Sequence, residues 1–298
     1  MKIRLLSVTG LILCFFATAS MSQDITSMLL EEKPVINYAE ATFKTTRIVI
    51  GHSVQNPPEG NLLFLVTHHF GALNSGYEYL FGLKESATRL GLEYGINDWL
   101  GLGVGLNTYM NTWDGFVKVK VLRQSGGAKI MPVTLDFFAN TAIYTTKWTE
   151  PDRENYFSSR MSYCFELLIA RKLNRWLSLQ IMPGLTHKNL VPANEDRNDI
   201  FTLGAGGRAK ISNRVSINAE YFYLFKNQVV STPVNNNSFS IGVDIETGGH
   251  VFQIFLTNSE GEFEQAFLTD TRGSWENGFI YLGFNISRVF QVVKPKAH

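Results

Sequence analysis

Hydrophobic and polar residues alternate along most of the chain, in runs of about ten residues. Within residues 201–211, Phe201 and Leu203 lie on one face of the pattern, whereas Arg208 and Lys210 lie on the other. Period-two alternation predicts β-strands, and a tilted strand that spans a membrane needs about 9–11 residues. The pattern therefore predicts an all-β fold, an antiparallel up-and-down transmembrane β-barrel with apolar faces toward lipid and polar faces toward a lumen.

The connections between the predicted strands are alternately short and long. Short turns at Asn97-Asp98 and Gly248-Gly249 alternate with longer connections such as Lys226 to Asn237 and Ser259 to Asn277. Outer-membrane barrels have short periplasmic turns and longer outside loops. Counting from Asn61 gives about 12 strands, an even number such as bacterial barrels have.

The N-terminus predicts export through a cleaved signal peptide at residues 1–22. Lys2 and Arg4 precede an apolar run of secretory length. Ala17-Thr18-Ala19 offers one cleavage site and Ser20-Met21-Ser22 a second, so the mature chain would begin near Ser20 or Gln23. An exported barrel predicts the outer membrane of a Gram-negative bacterium, with outer-membrane lipid around it and the barrel-assembly machinery as a partner during biogenesis.

Three further segments follow the signal peptide. We expect an N-terminal segment at residues 23–60, the barrel at residues 61–290 and a C-terminal tail at residues 291–298. Within the first of these, Thr42 to His52 has the pattern of one possible extra strand. Such a strand would make the count odd, so we expect it to pair incompletely or to lie in the lumen.

Composition excludes several classes of protein and leaves one structural alternative. The 27 basic and 26 acidic residues give a net charge of +1, so no nucleic-acid surface is indicated. Without the signal peptide, Cys164 is the one cysteine, which excludes an internal disulfide. A soluble β-sandwich also shows alternation, but aromatic residues near strand ends, such as Trp99 and Trp176, favour the two interfaces of a membrane.

Several stretches also carry a family resemblance: LFGL at 80–83, RLGLEYGI at 89–96, WDGFVKVKVLRQ at 113–124, DRENYFSSRMSY at 152–163, RNDIFTLGAGGR at 197–208, ETGGHVFQ at 246–253 and FNISRVF at 284–290. In this order they resemble an uncharacterised outer-membrane β-barrel family of Bacteroidota that is catalogued as a domain of unknown function. The resemblance extends from about Thr42 to Phe290. It implies a barrel in the outer membrane and transfers no catalytic or ligand residue.

Charged residues on the predicted inward faces form the candidate site. The proposed lumen-lining residues are Arg89, Glu93, Lys118, Lys120, Asp136, Glu166, Arg208, Lys210, Glu220, Asp244 and Glu246. Charges of both signs can pair and close the barrel, or they can line a narrow aqueous path. In particular, Arg208 and Lys210 share a face with Glu220 and are expected to meet acidic partners. We hypothesise that the aromatic stretch from Tyr77 to Leu83 forms a cap or a constriction at the outer mouth.

These residues favour a narrow channel or pore for small polar solutes. One alternative is a barrel-embedded hydrolase acting on lipid, with His187 or His250 beside a serine. Another is a structural or partner-binding barrel that acts through its long outside loops. His68 and His69 are adjacent on a strand and therefore face opposite sides. The sequence assigns no catalytic, cofactor-binding or metal-binding residue, and it implies no cofactor.

Overall fold

Twelve antiparallel strands form a closed barrel in the computed structural model, which describes residues 35–148, 151–231 and 235–294. Each strand pairs with its neighbours in chain order, and the last strand pairs with the first. The barrel strands are β2 (Asn61–Ala72), β3 (Ser86–Asn97), β4 (Leu100–Asn107), β5 (Thr112–Leu122), β7 (Thr134–Tyr144), β8 (Met161–Lys172), β9 (Leu177–Lys188), β10 (Asp199–Lys210), β11 (Val215–Leu224), β12 (Ser238–Thr247), β13 (His250–Thr257) and β14 (Tyr281–Gln291). The predicted barrel and its strand count are confirmed.

The two faces of each strand meet different surroundings. On β10, Phe201 and Leu203 are 51% and 43% exposed on the outside of the barrel, whereas Arg208 on the opposite face is 5% exposed. The same alternation is present on β3, where Leu90 and Leu92 face outward and Arg89 is buried. Apolar side chains on the outside of a closed barrel are expected to face lipid, because exposure of a continuous apolar belt to water is unfavourable.

The two ends of the barrel differ in the length of their connections. At the short-turn end, the connections are residues 98–99, 173–176, 211–214 and 248–249, together with the longer 123–133. At the long-loop end, they are residues 73–85, 108–111, 145–160, 189–198, 225–237 and 258–280. Outside the barrel, β1 (Ile36–Tyr38) pairs with β6 (Ser125–Gly127) at the short-turn end.

Aromatic and basic side chains mark the short-turn end of the outer surface. Trp99 and Trp176 are 53% and 45% exposed. The Arg175 guanidinium lies 4.6 Å from the Trp176 ring centre, and the Arg288 guanidinium lies 4.8 Å from that of Phe290. Amphipathic rings and long basic side chains of this kind suit a membrane interface.

One short helix, α1 (Glu264–Thr269), belongs to the connection between β13 and β14. Within the described ranges, no helix has both the length and the apolar character that a membrane span requires. The predicted signal peptide lies outside the residues that the structure describes.

Candidate functional site

Residues 41–57, here called the lumen segment, lie inside the barrel and enter it from the short-turn end. Near this entrance, the Arg208 guanidinium donates to the Ala41 carbonyl at 3.0 Å. The segment forms no barrel strand, and its one backbone bridge joins Arg47 and His52. The structure thus places the strand-like pattern of residues 42–52 in the lumen.

Side chains of the barrel wall satisfy the backbone of the lumen segment. The Glu220 carboxylate on β11 accepts hydrogen bonds from the backbone N–H groups of Val49, Ile50 and Gly51 at 3.2, 2.7 and 3.1 Å. On β9, the Gln180 side chain accepts from Val54 N–H at 3.0 Å. A buried backbone N–H without an acceptor is costly, so these wall groups hold the segment in place.

Donors from other strands bind the carbonyl groups of the same segment. The Asn285 amide on β14 donates to Val49 at 2.8 Å, and the Gln253 amide on β13 donates to Ile48 at 3.1 Å. On β5, the Lys118 ammonium donates to the Ser53 carbonyl at 2.9 Å. The segment therefore contacts the wall on several sides of the lumen.

Apolar side chains of the lumen segment pack in a buried cluster that also includes wall and loop residues. His52 lies edge-on to Phe116 at 4.5 Å and close to Phe138 at 4.3 Å between ring centres. The cluster contains Phe43, Ile48, Val49, Ile50 and Val54 of the segment, Phe116, Phe138, Cys164, Leu168, Ala170, Met182, Phe222 and Phe255 of the wall, and Phe267 and Leu268 of α1. The described interior is a packed core around this segment.

Glycines on the inward faces leave room for this filling. A Cβ atom at Gly206 on β10 would lie 2.9 Å from Ile48 Cδ1 of the lumen segment. At Gly105 on β4, a Cβ atom would lie 2.4 Å from Arg89 Nη2. Both distances are shorter than real side-chain contacts, so larger residues at these positions would displace Ile48 of the lumen segment and Arg89 of the wall.

The connection of residues 258–280, here called the lumen loop, enters from the long-loop end. All six residues of its helix α1 are buried. The Phe267 ring packs 5.0 Å from that of Phe222 on β11. Glu264 Oε1 lies 3.5 Å from His52 Nε2, so the lumen loop and the lumen segment meet inside the barrel.

Charged groups surround this meeting point. Arg89 binds Asp114 through two hydrogen bonds of 2.8 and 2.6 Å, and Arg47 Nη1 lies 2.9 Å from Glu93 Oε1. Burial raises the pKa of Glu264 to about 7; Arg47 opposes the effect and the Asp114 carboxylate adds to it. Glu264 therefore holds a proton more readily here than in water.

The structure places the proposed lumen-lining residues on the inward faces. Eight of them are at most 5% exposed, namely Arg89, Glu93, Lys118, Asp136, Glu166, Arg208, Glu220 and Asp244. Lys120, Lys210 and Glu246 lie at intermediate burial on the same faces.

The partners of these charged residues differ from those that the sequence suggested. Among the described members of the set, Lys120 and Asp136 come within ion-pair distance of each other, at 3.9 Å. Glu220 binds the lumen segment rather than Arg208, whose Nε donates to Ser216 at 3.1 Å. The acidic side chains that act electrostatically on Arg208 are Asp244 and Glu246 on β12, whereas Glu220 is engaged by the lumen segment.

Three residues that contribute to the buried interior are absent from the set proposed from the sequence, namely Asp114, Gln180 and Glu264. Asp114 and Gln180 occupy inward positions of the alternation, but neither belongs to the set of charged residues proposed from the sequence, and Gln180 carries no charge. Glu264 lies in a connection that the alternation of short and long loops predicts to be outside, and its neighbours Phe263 and Phe267 have helical spacing. That spacing was the available signal for a buried helix.

Two other expectations about the long-loop end are corrected. Tyr77, Leu80 and Phe81 are 76%, 54% and 60% exposed, so this stretch does not constrict the lumen as hypothesised. The connection that was expected outside instead folds inward, and its helix α1 is buried.

The arrangement expected for a hydrolase is not found among the described residues. His187 Nδ1 bonds Asp199 Oδ1 at 2.7 Å, and the His250 ring stacks 6.0 Å from that of Phe252. Neither histidine has a serine hydroxyl among its described hydrogen-bond partners. Within the same residues, no group of three His, Cys, Asp or Glu side chains has the arrangement of a metal site.

Comparisons with solved structures found distant likenesses to other barrels. The NanC porin is 10% identical with a TM-score of 0.48, covering 76% of this chain and 98% of that chain. The KdgM porin is 9% identical with a TM-score of 0.45, covering 77% and 98%. An outer membrane channel from Pseudomonas putida F1 is 11% identical with a TM-score of 0.46, covering 79% and 97%. Because all three TM-scores are below 0.5, these likenesses carry no argument. The barrel fold is established by the strand pairing of this chain.

Sequence comparisons identify the family. No curated protein sequence matched the chain. The profile of the family described as "Membrane bound beta barrel domain (DUF5777)" matches residues 43–290, which include the lumen segment from Phe43 onward and nearly all of the barrel. The chain belongs to this family of membrane-bound β-barrel domains.

Proposed function

We propose that the protein is an outer-membrane channel for small polar solutes that is closed by its own lumen segment. The proposed location is the outer membrane of a Gram-negative bacterium, with the short-turn end toward the periplasm. The apolar outward faces would contact outer-membrane lipid, and the alternating final strand would be read by the barrel-assembly machinery during biogenesis.

One observation carries the channel proposal: polar side chains of the wall bind the backbone of the lumen segment. Glu220, Gln180 and Asn285 lie on three different strands and each bonds a backbone group of that segment. When the segment leaves, the same side chains face an open lumen. Water and polar solutes can replace the lost hydrogen bonds, so the wall would line an aqueous path.

The attachment of the lumen segment allows such a movement. The segment precedes β2, which begins at Asn61, so one end continues into the barrel wall. Near its other end, Lys44 forms an ion pair with Glu246 at the short-turn end. We propose that the segment moves out toward this end, while the strands of the barrel stay paired.

The experiment is a crosslink that ties the segment to the wall. Lys44→Cys and Glu246→Cys, in a Cys164→Ala background, would be joined by a short bifunctional maleimide. The matched control joins Glu246→Cys to Val251→Cys, its cross-strand partner on β13. The control crosslinks the same wall position and leaves the lumen segment free.

Single-channel recordings in planar bilayers provide the readout. We expect openings before crosslinking, their loss when position 44 is tied to position 246, and their persistence in the control. Equal conductance before and after the first crosslink would overturn the proposed gate. Absence of conductance from the wild type and from both uncrosslinked variants would overturn the channel itself.

A further inference from the structure

A cavity lies at the long-loop end, beside α1. Its volume is about 200 Å³, and it is lined by the connection of residues 189–198, by the lumen loop and by Tyr109. The volume corresponds to about seven waters at roughly 30 Å³ each, which suits a single six-membered ring rather than an oligomer. The cavity is separate from the lumen segment, because no residue of 41–57 lines it.

The acidic groups of this cavity are already committed to protein donors. Asp270 accepts from the Tyr109 hydroxyl at 3.1 Å and from Arg272 Nε at 3.2 Å. Asp196 accepts from the backbone N–H groups of Val230 and Ser231 at 2.6 and 2.9 Å. Burial would raise the pKa of Asp196, but these hydrogen bonds and the Ser231 hydroxyl outweigh it and lower the pKa. Both carboxylates are therefore occupied by donors of the protein itself.

Two basic groups of the same cavity are uncommitted. Lys188, at the end of β9, and Arg197 both line it. Within the described residues, neither side chain has a hydrogen bond or an ion pair at 4 Å or less. With Arg272 they give three positive charges against two negative ones, so the unused hydrogen-bonding capacity of the cavity is cationic.

The remaining lining adds an apolar surface and one free acceptor. Tyr144, Leu190 and Ile200 provide apolar contact area. On α1, the Gln265 amide nitrogen donates to Asn140 Oδ1 at 2.7 Å, while its Oε1 atom is buried without a described partner. A buried acceptor of this kind gains from a donor brought by a ligand.

We propose that this cavity binds a small organic anion that also carries a hydroxyl group. The anionic group meets Lys188 and Arg197, the body packs against the apolar lining, and the hydroxyl donates to Gln265 Oε1. A lysine and an arginine suit a carboxylate because charge-assisted hydrogen bonds are the stronger class. This site does not require that the barrel conducts, so it can fail or succeed independently of the channel.

Three probes of similar size separate the chemical contributions. D-glucuronate carries a carboxylate and hydroxyls, D-glucose lacks the carboxylate, and cyclohexanecarboxylate lacks the hydroxyls. Binding would be measured by titration calorimetry on the full mature chain, refolded in detergent micelles at low salt. We expect D-glucuronate to bind at least about tenfold more tightly than either of the other probes.

Variants test whether the binding belongs to this cavity. Lys188→Gln and Arg197→Gln each remove one positive charge, whereas Lys226→Gln removes a charge from an exposed position in the neighbouring connection, outside the cavity. We expect each of the first two to weaken D-glucuronate binding by about tenfold and the third to leave it unchanged. Altered gel mobility on heating would establish that each variant is folded.

Three results would overturn the site. One is equal affinity for D-glucuronate and D-glucose, and another is the absence of measurable D-glucuronate binding by the wild type. The third is unchanged D-glucuronate binding in both Lys188→Gln and Arg197→Gln. Because Arg197 lies in a connection rather than a strand, its variant remains informative if Lys188→Gln fails to fold.

Discussion

The lumen segment and the lumen loop fill the same barrel in different ways. The segment has almost no backbone pairing of its own, and wall side chains such as Glu220 and Gln180 satisfy it. The lumen loop instead contains α1, whose backbone hydrogen bonds are internal, as in the one from Ala266 N–H to the Phe263 carbonyl at 3.0 Å. The lumen segment therefore depends on wall side chains for its backbone hydrogen bonds, whereas the lumen loop forms part of its backbone hydrogen bonds within α1.

Their attachment differs as well. The lumen loop is joined to β13 and β14, so both of its ends are fixed to the wall. Within the unit that includes the barrel, the lumen segment is continuous with β2 at one end and with the short pairing of β1 and β6 at the other. A three-residue pairing is a weaker anchor than a barrel strand, so the lumen segment is the part that we expect to move.

Deleting residues 41–57 should have the largest effect on this contrast. We expect frequent or persistent conductance, because the buried polar wall would then face water. Single-channel recording measures it. The matched variant keeps the segment and replaces residues 263–271 of the lumen loop with a Gly/Ser linker, and we expect it to conduct far less.

The deletion and the loop replacement also identify the gate if the expectation fails. Conductance from the loop replacement alone would make α1 the gate and the lumen segment a passive filler. Conductance that needs both changes together would show that each part closes the lumen independently.

Glu220→Ala should have the next largest effect, because three N–H groups of the lumen segment lose their acceptor. Each unsatisfied buried N–H costs about 1–3 kcal/mol, so the segment should leave the lumen at least roughly tenfold more often. The rate of maleimide labelling of Val49→Cys, in a Cys164→Ala background, reports this release.

Ser240→Ala is the control for that experiment. Ser240 lies opposite Glu220 on β12, but its hydroxyl donates to Thr257 on β13 at 2.8 Å and has no described hydrogen bond to the segment. Similar labelling rates in the two variants would contradict the role of Glu220 as a clamp.

A smaller effect is expected from pH through Glu264. Burial raises its pKa from the ordinary value of 4.5 to about 7, so the closed state keeps a proton that a solvated carboxyl would release. The closed state is therefore favoured fully at low pH, loses this contribution as pH rises toward 7, and changes little above it. Open probability should increase over that range, and Glu264→Gln should remove this part of the pH dependence. An unchanged pH profile in Glu264→Gln would contradict the assignment.

Lys44→Gln should have the smallest effect. The partner of Lys44, Glu246, is 42% exposed at its side chain, and exposed ion pairs contribute about 0–1 kcal/mol. We expect the opening rate in bilayers to rise by less than about fivefold. An effect on release of the segment as large as that of Glu220→Ala would mean that the Lys44–Glu246 ion pair, rather than the hydrogen bonds to Glu220, holds the segment in the lumen.

The barrel wall is predictable from the sequence because each strand separates two unlike surroundings. Phe201 and Leu203 contact the outside and Arg208 the interior, so the alternation follows directly from the chemistry of lipid and lumen. The ends of the strands follow from the turn residues, as at Gly248-Gly249 between β12 and β13.

The filling of the lumen is not predictable in the same way. Ile48, Val49 and Ile50 are consecutive and all buried, so a period-two pattern does not describe the surroundings of residues 41–57. Glu264 resembles a loop residue in sequence because its neighbours Arg47 and Arg89 are distant along the chain. Contacts of this kind exist only after the wall has closed.

The pairing of β14 with β2 has a consequence for how the molecule is made. These strands are the last and the first of the barrel, so the cylinder closes only when β14 pairs with β2. The lumen loop directly precedes β14 and the lumen segment directly precedes β2, which brings both to the closing seam. The lumen segment and the lumen loop must therefore be inside the barrel when it closes. A protein refolded with the lumen segment outside would have the same barrel wall and a different interior.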